Sequence, residues 1–382
     1  MIRDSRRVLR ASRLLPAVAL LLSTGAAGAQ ASLKAAFAGD FRVGAALSPK
    51  QFDERDADEV ALVKRQFNTI TPENVLKWES VHPQPGRYEF GPSDAYVAFG
   101  TRNGMFVVGH TLVWHSQTPR WVFQDSAGKP LTRDALLARL RDHIRTVVGR
   151  YKGRIGGWDV VNEVVDEDGA LRKSPWQRII GDDYIAKAFQ FAHEADPAAQ
   201  LYYNDYSLEN PVKRAGAVAL VKSLLAQGVP ITGVGLQGHH KLDWPSAAAE
   251  DSTIAAFAAL GVRVNVSELD IDVLPRATRQ QTADVAARAD SRAGLDPYAG
   301  ALPDSVQRTL ADRYAAMFAV YLKHRDVMDR ITFWGVTDAD SWLNDWPVRG
   351  RTNHPLLFDR QGRPKPAFDS VIALARTGAS IP

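Results

Sequence analysis

Two glutamates in apolar surroundings are the residues whose type could do chemistry. Glu163 lies in "GGWDVVNEV" (156–164), and Glu268 lies in "VNVSELD" (264–270). Both stretches read as buried strands, where a carboxylate needs a reason because an unpaired buried charge is costly. Two carboxylates that face each other across a cleft can hydrolyse a glycoside: one protonates the departing oxygen, and the other attacks the anomeric carbon or activates water. Either glutamate taken alone is better explained by an ion pair or a cap at the end of a strand.

The neighbours of these glutamates favour chemistry over a structural role. Gln237 and His239 are two residues apart in "GLQGHH", as are Glu268 and Asp270, so in regular strands each pair shares one side. An imidazole of His239 that is oriented by Asp270 and donates toward Glu268 would favour the charged form that a nucleophile needs. A core histidine is the ordinary alternative, but the acid on the adjacent strand favours a site.

Tryptophans provide a third signal. Six of the nine fall at or just beyond the ends of predicted strands: Trp78, Trp114, Trp121, Trp334, Trp342 and Trp346. A single tryptophan is usually a core residue, but a flat ring with a polar N–H also suits a sugar. The six together predict a sugar-binding rim.

Apolar runs that alternate with amphipathic helices predict the elements that position these residues. The candidate strands span residues 41–47, 67–74, 106–115, 157–163, 201–206, 232–239, 262–270 and 331–337, and the clearest helices span 54–66, 132–153, 182–195, 305–324 and 365–376. Eight strand–helix units predict an α/β protein with one domain, a (β/α)8 TIM barrel. In such barrels the carboxyl ends of the strands form the active face. Glu163 and Glu268, at the ends of the fourth and seventh predicted strands, would therefore meet there.

Residues 1–31 differ in composition from the rest of the chain. The arginine-rich "MIRDSRRVLRASR" precedes the apolar run "LLPAVALLL", and "AGAQA" offers cleavage sites after Ala29 or Ala31. This order is typical of a secretory signal peptide, and the apolar run is too short for a permanent membrane span. We therefore expect export to the periplasm or the extracellular medium, with a mature catalytic domain of residues 32–382.

The formal net charge of +4 is explained by this leader. It holds five arginines and one aspartate, and 42 basic and 42 acidic residues remain without it. No basic surface therefore predicts nucleic acid or anionic lipid as a partner. The chain has no cysteine, which excludes disulfides and thiolate metal sites. We expect a soluble monomer, because a closed barrel offers no free strand edge.

Two patterns that could indicate a cofactor are rejected. "GVGLQG" (233–238) matches the dinucleotide motif G-x-G-x-x-G, but the residues that follow it do not open a helix. His110, His115, His239 and His240 offer nitrogen ligands, yet their spacing fits no familiar metal motif. We therefore expect no cofactor and no catalytic metal.

Several of these stretches together resemble the motifs of glycoside hydrolase family 10, the endo-β-1,4-xylanases. They are "ITPENVLKWE", "GHTLVWHSQTPRW", "WDVVNEV", "YYNDY", "GVGLQGHH", "VSELD" and "TFWGVTDADSW". The likeness spans residues 33 to 376, and it implies xylan and xylo-oligosaccharides as substrates. It also implies a retaining double displacement, with Glu163 as the general acid/base and Glu268 as the nucleophile.

The resemblance further assigns residues that bind the substrate. On the glycone side these are Glu73, Asn74, Lys77, His110, Trp114, Asn162, Gln237, His239, Trp334 and Trp342, and Tyr206 would lie toward the leaving group. Asn162 is expected to bond the sugar 2-hydroxyl. The chain departs from the family pattern in a long segment, residues 274–304, which we expect to be an enlarged loop near the cleft.

The mechanism makes physical demands on the two carboxyl groups. A general acid near neutral pH needs a pKa of about 6 to 7, which apolar walls and the charge of Glu268 could give to Glu163. Retention predicts that the two carboxyl groups are about 5 to 5.5 Å apart. Two alternatives remain open: another retaining barrel glycosidase such as a cellulase or mannanase, and a carbohydrate-binding barrel without catalysis.

Overall fold

A computed structural model of the protein describes residues 1, 31–277, 285 and 288–377. Contacts within the chain separate Met1–Ala31 from Ser32–Pro382, and all the helices and strands described below lie in the second unit. Nearly all of the predicted signal peptide lies outside the described residues, so its presence stays a prediction. Within the described ranges, no helix has both the length and the apolar character needed to cross a bilayer.

The strands form a closed parallel barrel. In the described residues they are Arg42–Leu47 (β1), Thr69–Pro72 (β2), Phe106–Val113 (β3), Gly157–Asn162 (β4), Gln200–Asp205 (β5), Gly233–Leu236 (β6), His239–Lys241 (β7), Arg263–Asp272 (β8) and Met328–Phe333 (β9). Neighbours pair in parallel from β1 to β6, and β6–β8, β8–β9 and β9–β1 pairings close the ring. The predicted (β/α)8 barrel is therefore confirmed.

Helices surround this barrel. They are Leu33–Ala36 (α1), Pro49–Phe52 (α2), Ala57–Gln66 (α3), Trp78–Val81 (α4), Gly91–Arg102 (α5), Arg133–Arg150 (α6), Pro175–Ile180 (α7), Tyr184–Ala195 (α8), Pro211–Ala226 (α9), Ala247–Ala258 (α10), Asp304–Lys323 (α11) and Pro366–Thr377 (α12), with short 3-10 turns at Arg120–Phe123 and Trp342–Asn344. The five clearest predicted helices are present with shifts of three residues or fewer. N-terminal caps fix where several helices begin. The side chains of Thr132, Ser174 and Ser246 each accept a hydrogen bond from a backbone N–H in the first turn of the helix that follows.

Burial on both faces explains why the strands read as apolar runs. All six residues of β4 are buried, because one face packs inside the barrel and the other packs under helices. Gly109 on β3 illustrates the closeness of the packing, since a Cβ there would lie 2.1 Å from the ring of Trp158. The layer around the strands leaves room for functional groups mainly at the strand ends.

One predicted strand is two strands in the structure. The sequence predicts a single strand over residues 232–239, but β6 ends at Leu236 and β7 starts at His239. Gly238 between them has φ +77°, a conformation that glycine adopts without steric cost. The chain therefore turns after β6. Strand β7 then pairs with β8, with His239 opposite Asp270.

Candidate active site

A cavity of about 650 Å³ lies at the carboxyl ends of the strands. All fourteen residues that the sequence predicts for the site line it: Glu73, Asn74, Lys77, His110, Trp114, Asn162, Glu163, Tyr206, Gln237, His239, Glu268, Asp270, Trp334 and Trp342. They come from most of the barrel strands and the loops that follow them. Both glutamates therefore face one cleft.

Glu163 follows β4 directly and leaves the strand in an unusual conformation. Its φ is +57°, a left-handed value that costs a residue with a side chain about 1 kcal/mol or more. Its carboxylate accepts hydrogen bonds from Trp114 Nε1 at 2.8 Å and from Gln237 Nε2 at 3.0 Å. Its backbone carbonyl accepts from Arg172 Nε at 2.7 Å. These bonds hold a strained residue so that its side chain points into the cleft.

The surroundings of Glu163 keep a proton on it near neutral pH. Burial raises its pKa to about 7, and the charge of Asp205 adds to the rise, while the bonds from Gln237 and Trp114 oppose it. The sequence predicts that apolar walls and the charge of Glu268 raise this pKa; burial is the largest cause, as expected, whereas Asp205 contributes more than Glu268. An acid with this pKa is suited to general acid catalysis at neutral pH.

Glu268 on β8 has the opposite preference. Burial alone would raise its pKa, but the hydrogen bond with His239 and the electrostatic interactions with His110 and His239 lower it, as does the hydrogen bond from Asn204. Asn204 Nδ2 donates to Glu268 Oε1 at 2.8 Å, and His239 Nε2 lies 3.3 Å from Oε2. The carboxylate is therefore ionised and held by groups that prefer its charge.

His239 owes its charge to a second acid. Its Nδ1 lies 3.0 Å from Asp270 Oδ1, and Trp342 Nε1 donates to the other oxygen of Asp270 at 2.8 Å. Although burial opposes the charge, Asp270 and Glu268 raise the pKa of His239 to about 10. The imidazolium thus donates toward both carboxylates. Gln237 and His239 both face the cleft, although they do not share a regular strand.

Three amide side chains connect the two glutamates. Gln237 Nε2, bonded to Glu163, lies 3.4 Å from Asn162 Oδ1, and Asn204 Nδ2 donates to the same oxygen at 2.9 Å while also bonding Glu268. Ser267 Oγ donates to Asn204 Oδ1 at 2.5 Å. Since Asn162 uses its oxygen as a double acceptor, its Nδ2 group is left to donate into the cleft.

On the opposite wall, Lys77 is buried and donates to Asn74 at 3.0 Å and to Gln117 at 2.9 Å. Its ammonium lies 5.1 Å from the centre of the Trp114 ring. His110 is oriented by Asp159, with Nδ1 to Oδ2 at 3.0 Å. These groups present positive and hydrogen-bonding atoms beside the carboxylates, as binding of a polyhydroxylated ligand requires.

The expected rim of six tryptophans is only partly present. Trp114, Trp334, Trp342 and Trp346 line the cleft. Trp78 does not: its ring is 2% exposed and stacks on His143 at 3.5 Å, beside Trp176. Trp121 donates to the Pro83 carbonyl and also lies outside the cleft lining. Both follow strand ends in the chain but turn into the layer between α4 and α6, which the sequence position alone did not reveal.

Comparison with known proteins identifies the family. The model of glycosyl hydrolase family 10 matches residues 32–374, most of the chain. The chain belongs to glycoside hydrolase family 10. The resemblance inferred from the motifs is thereby confirmed, and the protein is a glycoside hydrolase.

Individual relatives of this family 10 enzyme support the family assignment. It is 44% identical to endo-1,4-beta-xylanase A of Xylanibacter ruminicola, over 87% of this chain and 90% of that protein, and 43% identical to an endo-1,4-beta-xylanase of Geobacillus stearothermophilus, over 89% and 98%. A family 10 endoxylanase structure from a sugarcane soil metagenome superimposes with TM-score 0.86 at 46% identity, covering 90% of this chain and 99% of that one. A mutant structure in complex with xylotriose matches with TM-score 0.80 at 36% identity, covering 90% and 99%.

Several residues that act on Glu163 or Glu268 do not line the cleft of this family 10 enzyme and are not among the predicted site residues. Asn204 bonds Glu268, and Asp205 raises the pKa of Glu163. Both lie in "YYNDY", which was singled out only as a motif. Asn204 could have been found from its position, because it lies near the end of β5 opposite Asn162 near the end of β4. Arg172, which bonds both Glu163 and Tyr206, had no sequence signal.

The segment after β8 also borders the cleft. Of residues 274–304, the described positions Arg276, Ala277, Val285 and Arg288 contribute to its lining, and α11 begins only at Asp304. Arg276 pairs with Asp243 at 3.1 Å. This segment therefore adds positive side chains near Trp346.

Proposed function

We propose that this family 10 enzyme is an endo-1,4-β-xylanase, which hydrolyses internal β-1,4 bonds of xylan with retention of configuration. The observation that carries the proposal is the pair of glutamates in one cleft with opposite proton affinities: the pKa of Glu163 is raised to about 7, and that of Glu268 is lowered. Relatives named as endo-1,4-beta-xylanases, and a relative in complex with xylotriose, support the substrate.

In the first half-reaction, Glu163 gives its proton to the glycosidic oxygen as the bond from that oxygen to the anomeric carbon breaks. Glu268 attacks the same carbon and forms a glycosyl ester. The free Nδ2 of Asn162 is available to the 2-hydroxyl of the sugar, where a hydrogen bond gains strength as positive charge develops on the ring. The departing chain leaves with the proton from Glu163.

In the second half-reaction, Glu163 acts as a base. It takes a proton from water, whose oxygen attacks the anomeric carbon and releases Glu268 as a carboxylate. Formation of the ester removes the charge of Glu268, which lowers the pKa of Glu163. Because Asp205 contributes more than Glu268 to the rise in that pKa, the change between the two half-reactions is moderate. Two inversions at one carbon give net retention.

The aromatic wall supports binding of a chain of sugars. Trp342 and Trp346 stack with their ring centres 4.7 Å apart, and the ring of Trp342 lies 5.0 Å from that of His239. Their faces offer flat apolar surface, while Lys77, Glu73 and the amides offer partners for hydroxyl groups.

The test is product analysis on three polymers. Reducing-sugar release should be rapid on xylan and at least tenfold slower on carboxymethylcellulose and mannan, with short xylo-oligosaccharides as products. Proton NMR during early hydrolysis should show the β-anomer first. Faster release from either other polymer would point to a cellulase or mannanase. Equal inertness of the wild type and Glu268→Ala on aryl xylosides would point to a binding protein.

The leader supports export as part of this function, since a polymer such as xylan cannot cross a membrane intact. We propose that residues 1–31 are removed during export. N-terminal sequencing of the enzyme recovered from the periplasm and the medium tests this. A chain that keeps residues 1–31 and stays in the cytoplasm would contradict it.

A further inference from the structure

Behind the cleft, three buried side chains form a cluster that the mechanism does not use. They are Glu209 in the loop after β5, His240 on β7 and Glu250 near the start of α10, with exposed fractions of 4%, 1% and 0%. Successive residues of a strand point to opposite faces. His239 faces the catalytic glutamates, so His240 faces away from them into this cluster.

The spacing of the cluster is too wide for hydrogen bonds. His240 Nε2 lies 3.7 Å from Glu209 Oε1 and 3.7 Å from Glu250 Oε2. One ligand atom from each residue lies within 4.8 Å of the others. Two ligands bonded at about 2.1 Å to one ion, at a tetrahedral angle, are about 3.4 Å apart. The two distances from His240 are thus close to the separation of two ligands of a shared metal ion.

The polar atoms of the cluster lack partners. In the described part of the chain, five atoms of the cluster have no hydrogen bond: both ring nitrogens of His240, both carboxylate oxygens of Glu250 and Oε2 of Glu209. Buried carboxylates that are not compensated are strongly unfavourable. These groups point toward one another, so an occupant between them would satisfy several at once.

The nearby arginines do not donate to these carboxylate oxygens. The guanidinium of Arg313 donates to the backbone carbonyls of Lys241 and Pro245. Arg214 donates to Thr253 and to the carbonyl of Glu209, not to its carboxylate. Two carboxylates and one imidazole therefore face a shared space with no cation bonded to their oxygens among the described residues.

We propose that Glu209, His240 and Glu250 bind one divalent transition-metal ion, for which Zn²⁺ is the best match. Zinc binds both imidazole nitrogen and carboxylate oxygen, whereas calcium and magnesium prefer oxygen ligands alone. The hydroxyl of Tyr321, which is buried and interacts electrostatically with Glu250, is placed to orient that carboxylate. Such an ion would join the loop after β5, β7 and α10.

The role of the ion would be structural. It would lie on the face of β7 away from the cleft, and it would fix the strand that carries His239. The competing occupant is a proton: without a metal, burial and the neighbouring Glu209 raise the pKa of Glu250 well above its ordinary value. The experiment must therefore distinguish a bound metal ion from a proton on Glu250.

Metal content of the folded enzyme is the direct test. The purified protein is treated with a chelator, incubated with excess Zn²⁺, dialysed against metal-free buffer and analysed by mass spectrometry of the elements. We expect about one zinc ion per chain and a melting temperature roughly 3–5 °C above that of the stripped protein. Glu250→Gln, which keeps the shape but removes the charge, should lose both effects.

His193→Gln is the matched control, because His193 is an exposed histidine on α8. This variant should keep the zinc and the shift in melting temperature. A wild-type enzyme that retains no zinc and melts at the same temperature with and without it would overturn the proposal and leave a proton as the occupant. Equal zinc binding by the wild type and Glu250→Gln would also overturn it. The wild-type measurement decides the matter even if the variant does not fold.

Discussion

Replacing Asp205 with asparagine should move the basic limb of the pH profile of kcat/KM to lower pH. This limb reports loss of the proton from the general acid in the free enzyme. Glu163 has a pKa of about 7 against an ordinary 4.5, a preference of about 3 kcal/mol for the protonated form. Burial is the largest cause and Asp205 is the next, so removing that charge should destabilise the protonated form of Glu163.

The expected size of the change is about one pH unit, or about 1.4 kcal/mol. The sign follows from the mechanism: the acid form is active, so activity falls as pH rises through the pKa, and a lower pKa brings that fall to lower pH. Lys213 Nζ is buried and lies 3.0 Å from Asp205 Oδ1 and 3.4 Å from Glu167 Oε1, so it retains one acidic partner in the variant.

The assay is kcat/KM on an aryl xylobioside from pH 4 to 9, with circular dichroism to show that the variant is folded. Asp58→Asn is the control, since Asp58 is exposed in the first turn of α3 and the substitution changes the net charge equally. A folded Asp205→Asn enzyme whose basic limb coincides with the wild-type limb would refute the assigned origin of the pKa of Glu163.

Further substitutions separate the roles of the neighbouring groups. Trp114→Phe removes a hydrogen bond that favours ionised Glu163, so the basic limb should move to higher pH, the opposite direction to Asp205→Asn. An unchanged basic limb would contradict this effect of the hydrogen bond. His239→Asn removes a charge that lowers the pKa of Glu268. Because Glu268 must be ionised to attack, the acidic limb should move to higher pH. An acidic limb that moves to lower pH would contradict this role of His239. Glu268→Ala should reduce kcat about 10⁴-fold or more on every substrate, measured against an active-site-titrated wild type. Glu163→Ala should lose similar activity on xylan, but its kcat/KM on dinitrophenyl xylobioside should fall much less, because kcat/KM reports the first half-reaction and this leaving group needs no proton. Equal losses of kcat/KM on both substrates would contradict acid catalysis.

Much of the fold could be predicted because barrel strands are buried on both faces. The apolar run that ends at Asn162 is one example: it reads as a buried strand, and it is one. The break at Gly238 could not be predicted, because glycine in a strand pattern is compatible with either a continuous strand or a turn. The left-handed conformation of Glu163 had no sequence signal either.

For the site, the residue types were easier to predict than the forces on them. Glu163 and Glu268 stand out because carboxylates are rare in buried strands. The contribution of Asp205 depends on how β5 lies beside β4, which appears only in three dimensions. Trp78 was misplaced for a similar reason, since a residue just after a strand can turn toward the cleft or toward the helices.

The central claim is that Glu268 becomes bonded to the sugar while Glu163 moves the proton. Incubation with a 2-fluoro xylobioside that has a dinitrophenyl leaving group should trap the ester, and peptide mass spectrometry should find the label on Glu268 in one copy per chain. A label on Glu163, or an active enzyme that forms no adduct and releases the α-anomer first, would contradict the account.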